Sequence, residues 1–71
     1  MDRQQVESKN IRSAGYDATL EILEIQFMTG AVYDYFDVPQ ALYDEFLLSP
    51  SKGKFFFEKI RDKFRYEKVQ G

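Results

Sequence analysis

The run Gly30-Ala31-Val32-Tyr33-Asp34-Tyr35-Phe36-Asp37-Val38-Pro39 limits what this chain can fold into more than any other stretch. A glycine suited to a tight hairpin precedes an alternating aromatic strand, and a proline suited to the first turn of a helix follows it. The strand must therefore leave a hairpin and run almost directly into a helix. Side chains alternate along a strand, so Tyr33 and Tyr35 share one face while Val32, Asp34 and Phe36 share the other.

The flanking segments extend this plan. Before the hairpin, Leu23, Ile25 and Phe27 alternate with Glu24 and Gln26, whereas Leu20 and Ile22 fall in the opposite phase. One strand cannot bury both sets on one face. Either a bulge lies near Ile22-Leu23 or Leu20 belongs to the preceding turn, and a strand that begins at Ile22 is the favoured arrangement. Ile11 to Asp17 reads as a short strand whose Ala14 and Gly15 let another backbone or a large side chain come close. Residues 1–7 are polar and are expected to form a flexible N-terminal segment. After Pro39, Leu42, Phe46 and Leu47, with Tyr43 beside them, give Gln40 to Leu48 the apolar stripe of a short amphipathic helix. Ser49-Pro50-Ser51 ends that helix and can cap a second, in which Phe56, Ile60 and Phe64 recur every four residues. The expected fold is α+β: a small antiparallel sheet of about three strands, then two C-terminal helices packed on one face, with Arg65 to Val69 available as a short final strand. No repeat or linker interrupts residues 8–69, which read as a single domain.

Composition narrows the chemistry. A chain of 71 residues buries only about 60% of the surface its unfolded form exposes. Seven Phe and five Tyr, each burying on the order of 150–250 Å², offset part of that deficit, and a partner subunit is a common further support. Cysteine and histidine are absent, which removes disulfides, thiolate and imidazole metal ligands, and the acid-base or nucleophilic chemistry of those side chains. Asp34 with Asp37, or Asp44 with Glu45, could be cast as an acid-base pair or a magnesium site, but adjacent helical residues diverge and no cleft-building sequence accompanies either pair. The chain therefore reads as a non-enzyme with no cofactor, metal or small-molecule substrate. Its start lacks a secretory signal and no run approaches about 18 apolar residues, so no membrane association is expected and a cytoplasmic location is the default.

The net charge of −2 conceals two opposed halves. Residues 1–50 hold three basic against nine acidic side chains, whereas residues 51–71 hold seven basic against three acidic. Lys52, Lys54, Lys59, Arg61, Lys63 and Arg65 could line a path for a phosphate backbone, although on one helix they fan out and Lys52, Lys59 and Lys63 are the best aligned. A solvated helix surface, or attraction between the two halves, accounts for the same residues. Ser51, Lys52 and Lys54 at a helix N-terminus could hold a phosphate oxygen, or could be ordinary capping with solvated lysines. The stretch lacks the glycine spacing and Gly-Lys-Ser/Thr ending of a P-loop, so nucleotide hydrolysis is not implied. Two roles are likewise open to Tyr33 and Tyr35: an exposed platform for stacking bases, or core rings packed under the helices.

Ser8, Ile11, Gly15-Tyr16-Asp17, Leu23-Glu24-Ile25-Gln26-Phe27, Gly30, Tyr33-Asp34-Tyr35, Val38-Pro39, Tyr43, Ser51-Lys52-Gly53, Phe55-Phe56, Ile60-Arg61 and Tyr66 form an ordered set that resembles the KTSC domain. That domain takes its name from the C-terminal extension of some lysyl-tRNA synthetases and also occurs alone in small bacterial and phage-related proteins. The resemblance spans roughly residues 6–69, with the central Tyr-x-Tyr as its best-known element. It implies a role in RNA binding, for which the chain offers Lys52, Lys54, Lys59, Arg61 and Lys63 to phosphates and Tyr33 and Tyr35 to bases. Phe57 and Asp62 depart from the polar or basic residues expected there and make the second helix less basic and more apolar. The alternative is a protein-interaction module, most simply a homodimer, with the surplus phenylalanines or the opposed charges at the contact.

Overall fold

A computed structural model of residues 1–71 gives the element order β1 (Gln4–Gln5), β2 (Ile11–Asp17), β3 (Ile22–Phe27), β4 (Val32–Tyr35), α1 (Gln40–Leu48), α2 (Lys52–Lys59) and β5 (Tyr66–Gln70). The class is α+β, but the sheet has five antiparallel strands, ordered β1-β2-β3-β4-β5, rather than about three. Both edge strands escape a periodicity argument. β1 is two residues long, inside the segment expected to be flexible, and β5 is exposed at every position, so neither carries alternating burial. No helix is long and apolar enough to cross a membrane.

Local chemistry accounts for the central strands. Gly30 adopts φ 96°, and the Phe27 amide donates to the Ala31 carbonyl to close the β3-β4 hairpin. β3 begins at Ile22 as expected, with Leu20 exposed in the turn before it, where the Asp17 carboxylate accepts from the Leu20 amide at 3.0 Å. Register shifts fall instead between Ile11 and Ser13 and between Val32 and Tyr33. The close approach anticipated at Gly15 is real. A β-carbon there would collide with the Asp2 carbonyl oxygen, because the N-terminal residues run across the outer face of β2. Val6, from the same segment, joins the core.

The helices cover the opposite face. Leu23, Ile25 and Tyr35 of the sheet meet Phe46 of α1, and Phe56 and Ile60 in and just after α2, in one buried cluster completed by Ile11, Ala14 and Val38. Pro39 caps α1 at φ −64° rather than opening it, and the Tyr16 hydroxyl donates to the Val38 carbonyl just before, at 2.5 Å. The Tyr16 and Tyr43 rings stack at 4.8 Å, Tyr43 lies against Phe46, and Phe46 meets Phe55 edge-on. α2 ends sooner than its four-residue spacing suggests. Both Ile60 and Arg61 amides donate to the Phe56 carbonyl, the helix unwinds, and Phe64 reaches the core from the following turn.

On the outer face Glu24 stands directly across from Asp34, and Asp34 from Glu67. Arg3 neutralises Glu24 at 2.6 Å and also donates to the Ser13 hydroxyl. Asp34 Oδ1 is buried without a hydrogen-bond partner. Burial first, then the neighbouring Glu24 and Glu67 carboxyls, push the Asp34 carboxyl up to about 6, against a weaker opposing pull from the amino terminus. A raised carboxyl holds its proton more tightly when folded, so its stabilising contribution is full below 3.8 and is lost as pH rises to about 6.

Two outcomes test these arrangements. Gly15→Ala should destabilise the fold by about 1–3 kcal/mol in urea unfolding, with amide shifts concentrated in residues 1–5; an unchanged midpoint would contradict the close approach. Asp34→Asn should raise the melting temperature by a few degrees (~2–6 °C) above pH 6 and remove the decline between pH 4 and 6 expected of the parent chain. Parallel pH profiles for the two proteins would rule out the buried carboxyl as the cause.

Candidate nucleic-acid interface

An aromatic recess lies between α2 and the β3-β4-β5 side of the sheet. Its floor comes from sheet residues of one parity, Phe27, Tyr33 and Tyr35, which the pleat turns toward α2, and its far wall from Tyr66, paired with Tyr35 across the last two strands. α2 contributes Phe56 at the base and Phe57 at the lip, one residue apart and therefore about 100° apart around the helix. Phe56 is 6% exposed and Phe57 is 59% exposed. Arg61 and Asp62, in the turn after α2, complete the rim. The recess holds about 580 Å³, within the usual range for small-ligand pockets of roughly 300–1,000 Å³.

The rings are tightly coupled. Phe56 meets Phe27 and Tyr35 edge-on, at 5.4 and 5.3 Å between centroids, while Tyr33 and Tyr35 stack at 6.4 Å. Tyr66 leans on both tyrosines, at 5.8 and 5.7 Å, yet keeps more than half its surface in solvent. The Arg61 guanidinium sits 5.0 Å above the Phe57 ring. Burial, then Tyr33 and Tyr66, push the Tyr35 hydroxyl up to about 12, with Arg61 drawing it down and Asp62 raising it. Tyr35 is thus a permanent hydroxyl donor at neutral pH.

A second, polar recess of about 750 Å³ adjoins the first at Asn10, Gly53 and Phe57. It carries Lys9, Lys52 and Lys54 against Glu7 and Glu58, beside Ser8 and Ser51. The Ser8 hydroxyl accepts from the Asn10 and Ile11 amides, at 3.3 Å each, and this turn packs so closely on the start of α2 that a β-carbon on Gly53 would stand 3.3 Å from the same hydroxyl. Ser51 caps α2 without a side-chain hydrogen bond to it, and Lys52 Nζ donates to the Ser49 carbonyl.

The anticipated residues therefore separate into groups. Tyr35 is core at 4% exposure and Tyr33 is half-buried at the groove's edge, so the pair is neither an open platform nor wholly interior. Arg61 joins the tyrosines, and Lys52 and Lys54 lie in the adjoining recess. Lys59 and Lys63 are exposed and line neither. Arg61 and Lys63 lie beyond the helix, because α2 stops at Lys59. Sequence position alone gives Phe27 and Tyr66 no binding role and Phe57 only one in self-association, although Tyr66 has the same pairing parity as Tyr35. The two oppositely charged halves do not lock together in the monomer: the single ion pair, Arg3 to Glu24, lies within the acidic half.

The KTSC domain family matches residues 7–64. A crystal structure of a KTSC domain protein from Yersinia pestis superimposes with a TM-score of 0.94 at 41% identity, covering 96% of each chain. A protein from Tsukamurella paurometabola is 40% identical over 62 residues, covering 87% of this chain and 92% of its own length. A lysine–tRNA ligase from Trichormus variabilis is 38% identical over 63 residues, and the match takes in 89% of this chain but only 11% of the ligase. Likeness along nearly the whole length, in sequence and in backbone, means that this chain belongs to the KTSC domain family.

Proposed function

We propose that this protein is a non-enzymatic module that binds single-stranded RNA along the joined recesses. The observation that carries this reading is the continuity of an aromatic groove, with two half-exposed rings, and a lysine-bearing recess at the start of α2. Bases offer flat faces to Phe57 and Tyr66, and aromatic stacking tolerates any sequence. Lys9, Lys52 and Lys54 at one end and Arg61 at the other supply the charge that phosphates require. The relatives add context, since some of them are lysine–tRNA ligases and so act on an RNA. Among the expected contacts, Tyr35 serves by holding the groove's floor, and Lys59 and Lys63 are peripheral to the path.

The exposed Phe57 favours one alternative, a homodimer that hides this ring against a second copy. The two roles differ in what removes them. A short single-stranded RNA should shift amide resonances around Asn10, residues 51–62 and Tyr66 at low salt, with shifts that shrink as salt rises. Phe57→Ala and Tyr66→Ala should each weaken binding by about 1–3 kcal/mol, whereas Lys59→Ala should change it little. No response to any oligonucleotide at low salt would refute RNA binding. Light scattering on the same samples should give the monomer mass; about twice that mass, restored to monomer by Phe57→Asp, would favour the homodimer.

A further inference from the structure

Arg61 and Asp62 are adjacent on the rim of the aromatic groove, one a donor array and the other an acceptor, and neither takes part in an ion pair. Arg61 rests on Phe57, and both rim residues line the same recess as Tyr35, Phe57 and Tyr66. An acidic residue on the rim repels a phosphate backbone but can accept from the donors on a base edge.

Resting on the RNA-binding reading, we propose that the groove selects guanine, with Asp62 accepting from the base's Watson-Crick edge. Guanine is the one standard base that presents two adjacent donors on that edge, the N1 and N2 hydrogens, spaced for the two oxygens of one carboxylate. Beside them lies the O6 acceptor, matched by the Arg61 guanidinium next to Asp62 on the rim. Adenine and cytosine each place a ring nitrogen lone pair next to their single amino group, and uracil sets its one N–H between two carbonyls. Each therefore turns an acceptor toward the carboxylate. With the base stacked between Phe57 and Tyr66, the rings supply affinity and Asp62 supplies choice.

The test uses five-residue RNAs that differ only at the centre, UUGUU, UUAUU, UUCUU and UUUUU, titrated at low salt and followed by fluorescence anisotropy. The guanine oligomer should bind roughly tenfold more tightly than the other three, and replacing guanine by inosine, which lacks the 2-amino group, should remove most of that advantage. Asp62→Asn should abolish the preference while leaving affinity for UUUUU equal or higher, because a repulsive charge is gone; Asp62 is exposed, so the variant is expected to fold. Equal binding of all four sequences, with salt sensitivity intact, would overturn the guanine assignment and leave the RNA module standing. A guanine preference that survives Asp62→Asn would overturn the role of Asp62. No binding by any oligomer would overturn both proposals.

Discussion

Phe56 is the contact on which the arrangement depends. It is the one buried residue of α2, and its edge meets the rings of Phe27 and Tyr35 on adjacent strands. Edge-to-face packing of this kind fixes both the distance and the tilt of the helix above the sheet. Everything else about the groove follows from that seat. Phe57 is turned outward because Phe56 is turned inward, and Gly53, one turn earlier, can lie against the Ser8 turn because it has no side chain to hold it off. With Phe56 seated on the sheet and Phe55 turned to Phe46, only Phe57 is left free, and a gap opens along its flank of the helix. A row of aliphatic side chains would have closed it.

The sheet divides the molecule electrostatically. The outer face carries Glu24, Asp34 and Glu67 in a line across three strands, partly covered by Arg3, while the lysines of α2 and the Arg61 turn lie on the helical side. The acidic line on the outer face is assembled from both halves of the chain, Glu24 and Asp34 from the acidic half and Glu67 from the basic one. A polyanion meeting the acidic outer face is repelled, so the charge pattern favours approach from the groove side.

Much of the fold was legible in short segments. Period-two alternation located β3 and β4, Gly30 marked their hairpin, the opposite phase of Leu20 excluded it from the strand, and the small pair Ala14-Gly15 announced a close approach that the Asp2 carbonyl fulfils. What escaped was decided by contacts between distant segments. Tyr33 and Tyr35 have identical parity, yet one is half-exposed and the other buried, because Phe56 lies over Tyr35. The four-residue rhythm of Phe56, Ile60 and Phe64 continues past the end of α2 because the unwound turn returns Phe64 to the same core by a different path. The candidate site was legible as a list of charges and rings and not as a place. Its exposed rings, Phe57 and Tyr66, come from elements joined only by the last strand pairing.

That last pairing is the one of longest range in the sheet. β2, β3 and β4 are joined by short turns, whereas β5 pairs with β4 across the loop of residues 36–65 that carries both helices. The groove's outer wall is therefore a solvent-exposed strand held to the sheet along one side. Fraying of β5 would open the groove and uncover the Tyr35 ring on which Tyr66 leans. A ligand lodged against Tyr66 would act as a clasp, tying the chain's final strand to the sheet.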